Sequence, residues 1–152
     1  MTAEAEVRIV QNVPQATAVI ALTTTWEEFP SLWGPLLGEV WKAVRAGPVA
    51  AGRNVMLYKD QRPSVEVGVE VFEPFPGHGR VVASSLPGGR SAMTVAPGGP
   101  TVEGIAAAHE RVQKWSAANG HELRGDRWEI YSHHSEDETT MNTEIHWALA
   151  AE

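Results

Sequence analysis

Two short segments place acids beside aromatic or imidazole groups at strand spacing: Glu129 and Tyr131 in "RWEIYSH" (127–133), and Glu144 and His146 in "TEIHWAL" (143–149). A third, "SVEVGVEVF" (64–72), alternates Val65, Val67, Val69 and Val71 with Glu66, Gly68 and Glu70. Strands repeat every second residue, so each acid shares a face with the residue two positions away. Met56 and Tyr58 in "NVMLYKD" (54–60) are matched in the same way. A carboxylate among aromatic faces can hold a poorly hydrated organic cation, and two carboxylates can divide acid and base work between them. Both uses need the glutamates to line a concavity. On a flat, open sheet they are solvated, as the polar face of an antiparallel strand usually is.

The elements that would position these groups follow from periodicity. "EVRIVQ" (6–11) and "TAVIAL" (17–22) are predicted as a hairpin joined through Asn12 to Gln15. Next, Leu36, Leu37, Val40, Trp41 and Val44 recur at helical spacing until Gly47-Pro48 stops them. Thr25 and Glu28 have capping-box spacing, but Pro30 and Pro35 move the expected helix start to about Pro35, after an irregular turn in which Trp33 could act as a gate. Strands at 54–60 and 64–72 complete the unit, and the order then repeats. "RVVASSL" (80–86) and "RSAMTVA" (90–96) form a second predicted hairpin around Pro87-Gly88-Gly89. A helix closed by Asn119-Gly120 follows, then strands at 127–133 and 143–149. The expectation is one α+β domain over residues 1–152, with pseudo-repeats at about 5–73 and 79–150. "VMLYKD" aligns with "WEIYSH" and "VEVGV" with "TEIHW". If each helix covers one face of its half-sheet, that register places Glu66, Glu144, Glu129, Tyr131, Met56 and Tyr58 on helix-free surfaces, with a cleft between the halves.

Composition narrows the function classes. The chain has 152 residues, no cysteine and a formal net charge of -7. Disulfide and thiolate-metal chemistry are therefore excluded, and a reducing cytoplasm is the expected compartment. The twelve basic residues are scattered rather than clustered, which argues against direct nucleic-acid contact. No stretch approaches the about 18 apolar residues of a membrane span, and "MTAEAEVRIV" has no signal-peptide pattern. Six tryptophans supply flat, polarisable surface for a core or for cation recognition.

The series "VEVGVEV", "LPGGRSAMTVAPGGPTVEGI", a helix carrying Trp115, and "RWEIYSHHSEDETTMNTEIHWAL" resembles the GyrI-like small-molecule-binding domain over essentially the whole chain. That domain is also the effector-binding half of AraC-type and BmrR-like multidrug-responsive regulators. The resemblance implies duplicated strand-strand-helix-strand-strand halves in one curved antiparallel sheet, with both helices on the convex face, as in the SOUL and Rob C-terminal folds. It implies a ligand on the concave face, met by glutamates of the last two strands, here Glu129 and Glu144, with Tyr131 as an aromatic wall. The regulators carry a DNA-binding domain ahead of this module, so a stand-alone form with no direct DNA contact is expected. Gly99-Pro100-Thr101 stands where the family usually has Gly-Pro-Tyr, and Trp147-Ala148-Leu149 replaces its usual Ile-Pro-Leu ending. Trp147 shares parity with Ile145, which favours a core position.

Two functions follow from that resemblance. One is capture of bulky aromatic, lipophilic cations, with Glu144 first and Glu129 second as the charge partner, Tyr131, Tyr58 and Met56 as walls, His146 and Trp33 as further ligand-binding residues, and Glu66 as the counterpart of Glu144 in the other half. A carboxylate held among aromatics has a raised pKa, so cation affinity would fall as pH drops. The other is hydrolysis of cyclopropane-containing DNA-alkylating compounds, with Glu144 and Glu129 as the acid–base pair. No cofactor is expected. His133, His134, Glu136 and Asp137 match no zinc spacing, and neither His109 nor His146 sits in a motif that recommends it as a haem ligand. A protein partner such as gyrase is known for the family, but no segment singles out a surface for one. The glycines at 88–89 and 98–99 lack a P-loop lysine and are explained as turns.

Overall fold

A computed structural model of the chain describes residues 6–97, 101–132 and 142–150. The elements run β1 (Arg8–Asn12), β2 (Gln15–Thr23), α1 (Phe29–Arg45), β3 (Ala51–Tyr58), β4 (Ser64–Val71), β5 (Val82–Leu86), β6 (Gly89–Pro97), α2 (Val102–Ala118), β7 (Leu123–Tyr131) and β8 (Asn142–Leu149). All eight strands join one antiparallel sheet in the order β1-β6-β8-β7-β3-β4-β2-β5. Exchanging each strand of the first unit for its counterpart in the second reverses that order and leaves it unchanged. The symmetric centre lies between β3 and β7, where Met56 pairs with Glu129 and Tyr58 with Arg127.

Neither expected hairpin forms. β1 pairs with β6, from Arg8↔Met93 to Asn12↔Gly89, while β2 pairs with β5, from Gln15↔Leu86 to Val19↔Val82. The first strands of the two units are therefore exchanged. A two-residue hairpin needs positive φ in its loop, which Val13-Pro14 does not adopt, so the chain stays extended through it. At the other crossing Gly88 lies so close to Pro14 that a Cβ there would sit 2.8 Å from the proline ring.

The exchange forces the sheet to curl. Asn12 and Gln15 are joined by at most about 11 Å of chain. The strands they belong to stand six places apart in the order, about 29 Å across a flat sheet. The helix-free face rolls inward and fills itself: Leu86 of the edge strand β5 packs in one cluster with Val55, Leu57, Trp128, Ile130 and Ala148. Both helices cover the outer face. α1 buries Leu36, Val40, Ala43 and Val44 on Val65, Val67, Val69 and Val71, as the alternation of the valines predicts. α2 sets Ala108 and Val112 on Ala92, Ala96, Ile145 and Trp147.

Local sequence accounts for the helix ends, although α1 starts earlier than expected. α1 begins at Phe29 rather than at about Pro35, because Pro30 falls in the first turn, where no backbone N–H is needed, and the helix continues through Pro35. Thr25 Oγ1 accepts from the Glu28 N–H at 3.1 Å and closes the turn just ahead of it. Thr101 caps α2 by accepting from the Gly104 N–H at 3.0 Å.

The faces of the central strands also differ from the expectation. Directly paired residues point to the same side of a sheet. Val67 faces α1, Met56 is opposite Val67, and Glu129 is opposite Met56. Met56, Tyr58, Glu129 and Tyr131 therefore lie on the helix-bearing face, whereas Glu66, Glu144 and His146 lie on the helix-free one. The central strands bury both faces, with Val55 and Leu57 as covered as Met56 and Tyr58. Alternation along them has no wet side to read.

Candidate functional site

The outer face dips between α2 and the segment that leads into α1, near the symmetric centre of the sheet. There a cavity of about 270 Å³ is lined by Trp26, Tyr58, Gln61, His109, Gln113, Arg127, Glu129 and Trp147. β7 presents Arg127 and Glu129, β3 presents Tyr58, β8 presents Trp147, and α2 contributes His109 and Gln113 one turn apart. Two connections complete the rim, because the indole N–H of Trp26, ahead of α1, donates to the Gln61 carbonyl between β3 and β4 at 2.9 Å.

Glu129 is the centre of this group. Only 3% exposed, it accepts from the Tyr58 hydroxyl at 3.3 Å, from the Tyr131 hydroxyl, and from His109 Nε2 at 2.6 Å. The Trp147 indole N–H donates to His109 Nδ1 at 3.0 Å, so Nδ1 is the acceptor and Nε2 carries the proton that Glu129 receives. Burial, and then the charge of Glu129, push both tyrosine pKa values up, so both stay phenols and donors. Met56 lies beneath, its sulfur 3.8 Å from the Tyr58 hydroxyl and 3.7 Å from that of Tyr131. The result is a carboxylate held by three donors on a floor walled with aromatic rings.

Arg127 lies inside the same walls. Its guanidinium carbon is 5.6 Å from the Trp26 ring centre, 5.6 Å from that of Tyr58 and 5.1 Å from that of Trp147. Its guanidinium donates to the Gly125 carbonyl at 3.2 Å, and among the described residues no carboxylate lies within ion-pair distance of it. Burial lowers its pKa, opposed by Tyr58, Asp60 and Glu129; a guanidinium nonetheless remains charged at neutral pH.

The other predicted residues are elsewhere. Glu144 is opposite Ile130, which places it across the sheet from Glu129, so the two cannot serve one ligand as an acid–base pair. It binds Arg53 at 2.8 Å and His146 at 3.1 Å, and Arg53 in turn binds Glu70. His146 stacks on Trp128 with ring centres 5.1 Å apart. Glu66 is held by Ser84 and Lys59. Trp33 lies on α1 and is 43% exposed, outside the cavity lining. The residues considered for zinc, His133, His134, Glu136 and Asp137, lie outside the described residues.

For Glu144 the expected rise in pKa is reversed. The bond from His146, then the charge and bond of Arg53, outweigh the opposing push of burial and hold it below the ordinary 4.5. A depressed folded pKa stabilises the fold above the unfolded value, and that stabilisation is lost as pH falls through the folded one. Glu144→Gln should therefore flatten the acid limb of stability below about pH 4.5, by less than about 1 kcal/mol because the side chain is 32% exposed and partly screened, in urea denaturation followed across that range.

The profile of the GyrI-like small molecule binding domain matches residues 5–150. The chain belongs to this family. Solved structures agree on the fold of the GyrI-like chain. The EcmrR C-terminal domain superposes with a TM-score of 0.75 at 16% identity, covering 97% of this chain and 99% of that one. SAV2435 bound to tetraphenylphosphonium gives 0.70 at 12% identity, with 96% and 94% covered. A hydrolase encoded by lin2189 from Listeria innocua gives 0.60 at 9%, with 95% and 92% covered. Among curated proteins, none matches.

Sequence reasoning missed Trp26, His109, Gln113, Gln61 and Arg127. Arg127 was within reach, since it shares parity with Glu129 two residues on. His109 lies one position from Ala108 and three from Val112 on the buried stripe of α2, a second usable signal. Trp26 and Gln61 sit in connections, where periodicity says nothing.

Proposed function

We propose that this GyrI-like domain captures bulky aromatic cations over Glu129, between α2 and the segment that leads into α1. The observation that carries the reading is the buried Glu129 carboxylate, held by Tyr58, Tyr131 and His109 beneath the rings of Trp26 and Trp147. A delocalised cation needs no directional partner, only ring faces worth about 0.5 to 2 kcal/mol each and a nearby negative charge. Met56 adds an adaptable floor suited to varied shapes. The likeness to a protein solved with tetraphenylphosphonium supports the same class of ligand here. The hydrolytic alternative loses its second carboxylate, because Glu144 lies across the sheet.

The test is a titration of tetraphenylphosphonium, followed by tryptophan fluorescence, with the ligand afterwards recovered by chromatography. Micromolar, saturable quenching with the ligand returned intact is expected. Equal affinity for uncharged triphenylphosphine oxide would remove the role of charge, and a chemically altered ligand would replace binding by turnover.

A further inference from the structure

The aromatic walls of the cavity already enclose a cation. We infer that Arg127 is a built-in occupant of the cage formed by Trp26, Tyr58 and Trp147, which an incoming organic cation must displace, so that Arg127 sets both the affinity and the charge selectivity of the site. This inference rests on the proposed cation-binding reading and deepens it.

Three features single out Arg127. Its guanidinium lies 5.1 to 5.6 Å from three ring centres, within the range of cation–π attraction. Its side chain is anchored weakly, by one bond to the Gly125 carbonyl and no carboxylate at ion-pair distance among the described residues. Arg124, three residues earlier, is instead clamped by two bonds to Asp126. The strand also gives room for a change: β7 breaks register between Leu123 and Arg127, and Gly125 there has φ +121°. Asp60, which interacts electrostatically with Arg127 and is more exposed, offers a destination outside the cage.

The cavity is consistent with this arrangement. At about 270 Å³ it falls just short of the about 300 to 1,000 Å³ of clefts that take drug-sized ligands. Withdrawing Arg127 would enlarge it and uncover three ring faces. The pseudo-symmetric counterpart of Arg127 across the central strand pair is Asn54, whose side chain accepts from the Trp41 indole at 2.8 Å. The first half thus ties down its tryptophan with a neutral amide, and the second half inserts a cation among its rings.

Arg127→Met keeps the length and apolar stem and removes the charge. Tetraphenylphosphonium should then bind about tenfold or more tightly than to the wild type, while triphenylphosphine oxide gains much less. An independent readout on the wild type needs no ligand: in the NMR spectrum the Arg127 Nε–H should be shifted upfield by the surrounding rings. Unchanged or weaker cation binding by a folded Arg127→Met variant would overturn the displacement role while leaving the pocket reading intact. A Nε–H at its ordinary frequency would overturn the caged arginine itself. If neither protein binds the cation but the shifted Nε–H is seen, the cation-binding reading fails, and the displacement inference fails with it.

Discussion

Glutamine in place of Glu129 should weaken tetraphenylphosphonium binding by about 100-fold. The carboxylate is only 3% exposed, and a cation seated among Trp26, Tyr58 and Trp147 would lie within about 5 Å of it. At an effective dielectric of about 20, that separation is worth about 3 kcal/mol, or about two decades in affinity. The substitution removes the charge together with the acceptor that the His109 Nε2–H now meets, and the uncharged ligand is the control for that second effect. Glutamine keeps the volume, and its carbonyl still accepts from the Tyr58 and Tyr131 hydroxyls that now meet the carboxylate. Triphenylphosphine oxide should be nearly indifferent to the change. The measurement is the same fluorescence titration, with near-ultraviolet circular dichroism showing that packing survives. A loss of less than about threefold would mean that ring faces alone hold the ligand.

Gly68→Val should cost about 3 kcal/mol or more of folding stability, which is a large part of the total for a domain this size. Gly68 pairs with Val19 in the β2–β4 ladder. A Cβ on it would lie 1.9 Å from the Ala18 carbonyl oxygen and 2.8 Å from the Val19 Cα. These are backbone atoms of the neighbouring strand, so no side-chain rotation relieves the clash and the ladder itself must open. Urea denaturation would read the loss as a lower midpoint. A midpoint within experimental scatter of the wild type would show that β2 can yield at that point.

That glycine, in the middle of "VEVGVEV", illustrates what was legible. Glycine within a strand signals close backbone approach, and the valines around it correctly announced the face that packs on α1. Element order, the end of α2 at Asn119 and the helix-free placement of Glu66, Glu144 and His146 could also be read, because each depends on local spacing. Strand partners could not. Asn12 to Gln15 is short enough to suggest a hairpin, yet the choice between β2 and β6 as the neighbour of β1 is made by contacts from the other half of the chain. The side taken by Glu129 failed for another reason. Alternation puts Glu129 and Tyr131 on one face but does not say which, because β7 is buried on both sides there, and nothing in "WEIY" reveals that His109, Tyr58 and Tyr131 would gather around this acid.

The exchange of β1 and β5 also imposes an order in time. A nascent chain that has emerged only as far as residue 75 can assemble β2, β4 and β3 beneath α1, but β1 must wait for residues 89–93 and the outer edge of β2 must wait for 82–86. Such long-range closure is slow, and until it happens two open edges are offered to any neighbour. Because each half completes the other, the first strand of one molecule can equally complete the second half of another. Refolding from denaturant at high concentration therefore opens a route to intertwined dimers, and dilution closes it.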